Sequence, residues 1–307
     1  MFEVKLGGYE QDDPEDPFLI GAPMWDLPQI VGPLIKDRRE DMQVYSVLKA
    51  MSVAGFARNP LTVEVGQDPP DRWLVHADRR WAAELTELTI QDVRQTVAPP
   101  RMFARTLSAR LNAELDRYAH LRDRLVLLSC DEGAIPRRPA ALLDEIAQLL
   151  TTDIGFVGEG IDLSSGPPET LPMDRGFHGD HGPFSITVQQ GVADGAVVVS
   201  ASTPTNIKRS EAIAALVARV LDKDVPSNEV LLVTCGAPDP QGYVCSVDSS
   251  IFQLLRDSHL AGVNILEGMV PLQHLQSVVL HMWNTDQLVI FGANEDLPWK
   301  PVQRETA

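Results

Sequence analysis

Cysteine is scarce in this chain: Cys130, Cys235 and Cys245 are the only three in 307 residues. Three thiols with no C-x-x-C pair make neither a disulfide framework nor a structural zinc site, so a reducing compartment is expected. Basic charge is also short. Lys and Arg number 26 against 43 Asp and Glu, for a formal net charge of −17. A nucleic-acid binder needs a basic face to neutralise phosphates. Here the only Arg doublets are Arg38-Arg39, Arg79-Arg80 and Arg137-Arg138, isolated from one another, and no nucleic-acid partner is expected. No apolar run approaches the ~18 residues of a membrane span. The start, Met1-Phe2-Glu3-Val4, lacks a basic n-region and a long apolar segment. These absences predict a protein of the cytoplasm, or one exported without a signal peptide, with no membrane partner.

What remains is an ordinary globular composition, 44% hydrophobic and 22% charged. Residues 9–33 are acidic and interrupted by proline, which reads as an extended arm. Met42, Val44, Tyr45, Leu48 and Met51 recur at near-helical spacing and predict a helix over 39–54. Strands are predicted at 61–65 and 73–75 across the turn Q-D-P-P-D, helices over 89–97 and 101–122, a strand over 124–129 and a helix over 140–150. A Gly- and Pro-rich stretch, 164–182, divides the chain into modules 1–165 and 166–307. Beyond it come a hairpin (184–188 and 196–200, turning at Asp194-Gly195), a helix at 211–221 behind Ser210, a buried strand over 230–234, a helix at 251–258, a strand at 262–266 and a closing pair, 278–281 and 287–291. The predicted class is α/β.

Five segments recur in the same order. G-F-A-R-N-P-L-T-V-E-V at 55–65 parallels G-F-H-G-D-H-G-P-F-S-I-T-V at 176–188, and D-R-W-L-V at 71–75 parallels D-G-A-V-V at 194–198. R-L-V-L-L-S-C parallels E-V-L-L-V-T-C, each ending in a cysteine. The segments after those cysteines, L-L-D-E-I-A-Q-L-L with S-I-F-Q-L-L-R-D-S and D-I-G-F-V-G-E-G with A-G-V-N-I-L-E-G, complete the series. An internal duplication follows, in which the first copy lacks the histidines of the second.

In open α/β sheets ligands collect beyond the carboxyl ends of the strands. Cys235 stands at such an end, and Phe177-His178-Gly179-Asp180-His181-Gly182 carries the only closely paired histidines. A thiolate is the nucleophile, and an adjacent imidazole can supply or stabilise it. The candidate dyad is therefore Cys235 with His181, or with His178 in its place, and Gly182 and Gly236 supply oxyanion donors. No cofactor or metal is expected, since His178, Asp180 and His181 lie too close in sequence to complete a zinc shell unaided. His-Gly, a hairpin, a helix and an apolar strand ending in Cys resemble the caspase-like cysteine peptidases, including the C-terminal domains of bacterial polymorphic toxins. That resemblance covers 176–301, ends at Trp299-Lys300-Pro301, and has a fainter counterpart at 55–165. It implies two tandem caspase-like modules with mainly parallel central strands and added hairpins, acting on peptide bonds in a bacterial toxin or conflict system. The alternative is a catalytically inactive α/β scaffold that binds a protein or peptide partner.

Overall fold

The computed structural model describes residues 18–21, 36–58, 61–67, 69–130, 135, 139–151, 177–178, 184–190, 195–203, 205–239, 246–263, 265–266, 272–292 and 297–299. In chain order the elements are β1 (Phe18–Gly21), α1 (Lys36–Val53), β2 (Thr62–Val65), β3 (Arg72–His76), β4 (Arg79–Glu87), α2 (Gln91–Ala113), β5 (Arg124–Cys130) and α3 (Ala140–Leu149). There follow β6 (Phe177–His178), β7 (Phe184–Gln190), β8 (Val198–Ser202), β9 (Thr205–Lys208), α4 (Arg209–Lys223), β10 (Val230–Cys235), α5 (Ser246–Leu260), β11 (Ser277–Met282) and β12 (Leu288–Phe291). The fold is α/β. Among the described residues no helix is long and apolar enough to cross a membrane.

Two compact units divide the chain, and one interrupts the other. Gln91–Thr205 belongs to the first; Pro28–Ile90 and Asn206–Ala307 belong to the second. The first has a four-stranded sheet in the order β6-β7-β5-β8. On α2, Phe103, Leu107 and Leu111 repeat every four residues and pack with Val126, Leu128, Ile186, Val188 and Val199. Asn112 completes this wall: its amide donates to Val197 O at 2.7 Å and accepts from Val197 N at 3.0 Å, as a neighbouring strand would. The second unit has a six-stranded sheet in the order β12-β11-β10-β4-β3-β2, parallel at its centre (β11, β10, β4) and antiparallel at both edges. All six residues of β10 are buried. Helix α1 covers one face, with Val44, Val47 and Met51 packed on Trp81, Ala83, Leu85, Val230, Leu232 and Val279.

Several expectations are corrected. Strands from both sides of residue 165 share each sheet: β2–β4 pair with β10–β12, and β5 pairs with β7 and β8. The compact units therefore differ from modules 1–165 and 166–307, and neither sheet is built from one expected copy. The hairpin expected at 184–200 is opened by β5, which lies between β7 (antiparallel) and β8 (parallel), so an apolar strand satisfies both of its edges. The strand expected at 262–266 is absent from its described residues. Gly262 (φ +83°) ends α5 instead, its N–H bonding His259 O and that of Val263 bonding Ser258 O, the paired pattern that closes a helix through a left-handed residue. One helix, α2, replaces the two expected and runs through Pro99 and Pro100. Helix α4 begins with the Lys208 N–H donating to Glu211 rather than with a Ser210 cap.

Trp299 closes the second unit. It is fully buried, bridges Ala57, and belongs to the α1 core. Among the described residues its Nε1 has no hydrogen-bond partner, so its contribution is packing. Trp299→Ala is expected to cost about 3–5 kcal/mol, and Trp299→Phe less than half of that because no hydrogen bond is lost. Urea unfolding of both variants checks this.

Candidate functional site

Cys235 ends β10 as expected, and Gly236 follows in the left-handed region (φ +74°), where glycine is at ease. The thiol is wholly buried. Burial pushes its pKa well above the ordinary value, and the Asp248 carboxylate on α5 raises it further. Both causes oppose a thiolate nucleophile. His178 lies on β6, in the four-stranded sheet of the other unit, while His181 and Gly182 lie outside the described residues. The imidazole adjoining β10 is His281, the register partner of Thr234 on β11. Side chains alternate along a strand, so Thr234 and His281 share one face and Cys235 and Met282 the other.

His281 is itself buried. Its Nε2 lies 3.1 Å from Thr285 O, and a carbonyl only accepts, so Nε2 carries the proton and Nδ1 is left as an acceptor. Among the described residues neither Nδ1 nor Thr234 Oγ1 has a hydrogen-bond partner. Burial lowers the His281 pKa to about 4, against smaller opposing effects of Thr285 O and Asp286.

A second cluster lies where β3 and β4 meet. Arg72, 2% exposed, is held on the α1 side: Nη1 donates to Glu40 Oε2 at 2.9 Å and to Asp71 O at 2.7 Å. Its Nη2 donates to Asp41 Oδ1 and to Asp37 O, each at 3.0 Å. Asp71, the residue before β3, accepts the Leu85 N–H at 2.9 Å and so reaches β4 beside Glu84. Glu84 Oε1 takes Lys223 Nζ at 2.7 Å from α4, and the two side chains are 8% and 28% exposed. Glu84 Oε2 is buried with no hydrogen-bond partner among the described residues. Asp71 adds to the charge felt on both sides. The Glu40 carboxyl is raised by burial and then by Asp71, against Arg72 and Lys36. The Lys223 ammonium is raised by its hydrogen bond to Glu84, against burial, with Asp71 contributing.

Among the described residues no three His, Cys, Asp or Glu side chains converge as a ready metal cage. Asp71 and Glu84 instead offer two carboxylates beside one ammonium. That donor set suits a magnesium-like cation, which keeps water and takes its remaining ligands from phosphate oxygens. No protein-family model, curated protein or solved structure matches the chain.

The cluster was missed in the sequence because R-R-W-A-A-E-L-T-E carries no strand signature and β4 was not expected. Hairpin arithmetic would have found it. Across the tight turn Ala77-Asp78, His76 faces Arg79 and Arg72 faces Ala83, which puts Asp71 opposite Glu84.

Two outcomes follow. Cys235 should resist iodoacetamide at neutral pH in the folded protein, and His178→Ala should leave that slow rate unchanged; mass spectrometry of labelled peptides reads it. His281 should make stability pH-dependent. Its unfolded pKa is near 6.5 and its folded one about 4, so between those values the unfolded state binds more protons and stability rises with pH. Stability should therefore fall as pH drops from about 6.5 to about 4, by up to about 3 kcal/mol, and His281→Gln should flatten that part of a urea-midpoint profile.

Proposed function

We propose that the six-stranded unit is a divalent-cation-dependent phosphodiester hydrolase centred on Asp71, Glu84 and Lys223. The supporting observation is Asp71, just before β3 and bonded to the Leu85 N–H of β4, beside Glu84, which has one buried oxygen unpartnered among the described residues and Lys223 2.7 Å from the other. A cation held by these carboxylates would supply Lewis acidity to a phosphate oxygen. Lys223, kept protonated by Glu84, presents a positive charge to the phosphoryl group. Water adds to phosphorus, the ester P–O bond breaks with its electron pair on the leaving oxygen, and a proton from the water ends on that oxygen. The expectation of no metal is replaced by this reading.

The peptidase reading rests on Cys235, whose burial and raised pKa weigh against it. The protein-binding scaffold is the reading left if no cation binds.

The test is Mn2+ binding, followed by electron paramagnetic resonance, with hydrolysis of bis(p-nitrophenyl) phosphate as the activity. Binding in the millimolar range or tighter is expected. Asp71→Asn and Glu84→Gln should each weaken it about 100-fold or more with circular dichroism unchanged. Lys223→Met should keep Mn2+ and lose hydrolysis. Wild-type protein that binds no Mn2+ at millimolar concentration sinks the proposal.

A further inference from the structure

The face of β4 that carries Glu84 carries a second feature. Alternation puts Arg80, Ala82 and Glu84 on that face, and the register sets Trp73 of β3 beside Ala82 and Glu64 of β2 beside Trp73. Trp73 is half-buried. The Arg80 guanidinium lies over its ring, 4.4 Å from the centroid, and Arg80 Nη2 pairs with Glu64 Oε2 at 3.0 Å. The Arg80 and Glu64 side chains are 52% and 53% exposed, so this ion pair stands in water and is weak. Ala82 and Glu84 are two residues apart, about 7 Å along the strand, which sets Trp73 next to the proposed cation centre on the same face.

A flat indole, an exposed guanidinium with a weakly held counter-ion and an adjoining phosphate-directed centre have one matching chemistry. We infer that Trp73 and Arg80 form a nucleotide subsite, in which a nucleobase stacks on Trp73 while Arg80 leaves Glu64 for a phosphate oxygen. This rests on the phosphodiester reading and names its substrate class. Base stacking on an aromatic side chain is indifferent to sequence. A guanidinium holds a phosphate by two parallel N–H bonds. The chain's net charge of −17 repels a long polyanion, so the substrate is a dinucleotide or a short single-stranded end rather than a duplex.

The experiment measures binding of thymidine monophosphate, deoxyribose phosphate and a short single-stranded oligothymidylate to the full chain with Mn2+ present, by NMR titration. Thymidine monophosphate should bind more tightly than deoxyribose phosphate. Trp73→Ala should abolish that preference, weakening the nucleotide about 5- to 100-fold, and Trp73→Tyr should restore most of it. Arg80→Gln should weaken nucleotide and sugar phosphate alike. All three variants should keep wild-type Mn2+ binding, which shows the fold and the cation centre intact. A tighter oligothymidylate assigns the subsite to a longer strand end, and equal affinity shows that it grips one terminal nucleotide, as in a dinucleotide. If Mn2+ binds but the base adds nothing, or Trp73→Ala changes nothing, this subsite is refuted and the cation centre stands. If Mn2+ does not bind, the phosphodiester reading falls and the subsite with it.

Discussion

Charge held inside the sheet wall is the constraint on which the second unit depends. Glu84 sits on β4, a strand with neighbours on both sides, where a buried charged side chain needs a partner. Lys223 at 2.7 Å neutralises it from the α4 side, and Arg72 does the same for Glu40 on the α1 side. Removing one partner of such a buried pair costs about 3–5 kcal/mol, while replacing both by apolar groups is often harmless. Packing alone does not account for ions here. One Glu84 oxygen inside the wall has no hydrogen-bond partner among the described residues.

The surroundings of Lys223 show how its position is kept. The Asn228 amide donates to Lys223 O at 3.0 Å, closing the end of α4. Asp224, the next residue, accepts backbone N–H groups from Gln273, His274 and Leu275 at 2.7–2.8 Å. These three bonds lower the Asp224 pKa despite the opposing effect of burial, and they tie the helix end to the segment leading into β11. A flexible lysine is thereby presented from a fixed helix terminus. By contrast, Cys235 and His281 are buried at the carboxyl ends of β10 and β11 on opposite faces of the sheet, so neither can serve the other.

Much of the fold is legible as periodicity. Val44, Val47 and Met51 mark α1, and the apolar run Val230–Thr234 marks a strand buried on both faces. The closing pair β11 and β12 follows from the turn at Asn284, which takes a positive φ of 55°. Strand β4 is not legible in this way. Ala82, Ala83 and Glu84 favour a helix intrinsically, and only burial between β3 and β10, with Lys223 to neutralise Glu84, makes them a strand. Local preference yields where a tertiary environment supplies both ladder partners and a counter-ion.

The sequence by itself determined the α/β class, most helices and strands, the acidic balance and the position of Cys235 at a strand end, because these depend on residue types and short periods. Pairing between distant segments was decided by the tertiary structure. Residues 91–205 stand between β4 and the elements that complete its sheet, and apolar strands are too alike for their residues to name their partners. The same holds for the candidate site. Asp71, Glu84 and Lys223 span about half of the chain in sequence, and each is unremarked alone. What makes them chemistry is proximity: a hairpin register that sets two carboxylates side by side, and a helix end that brings one ammonium to them.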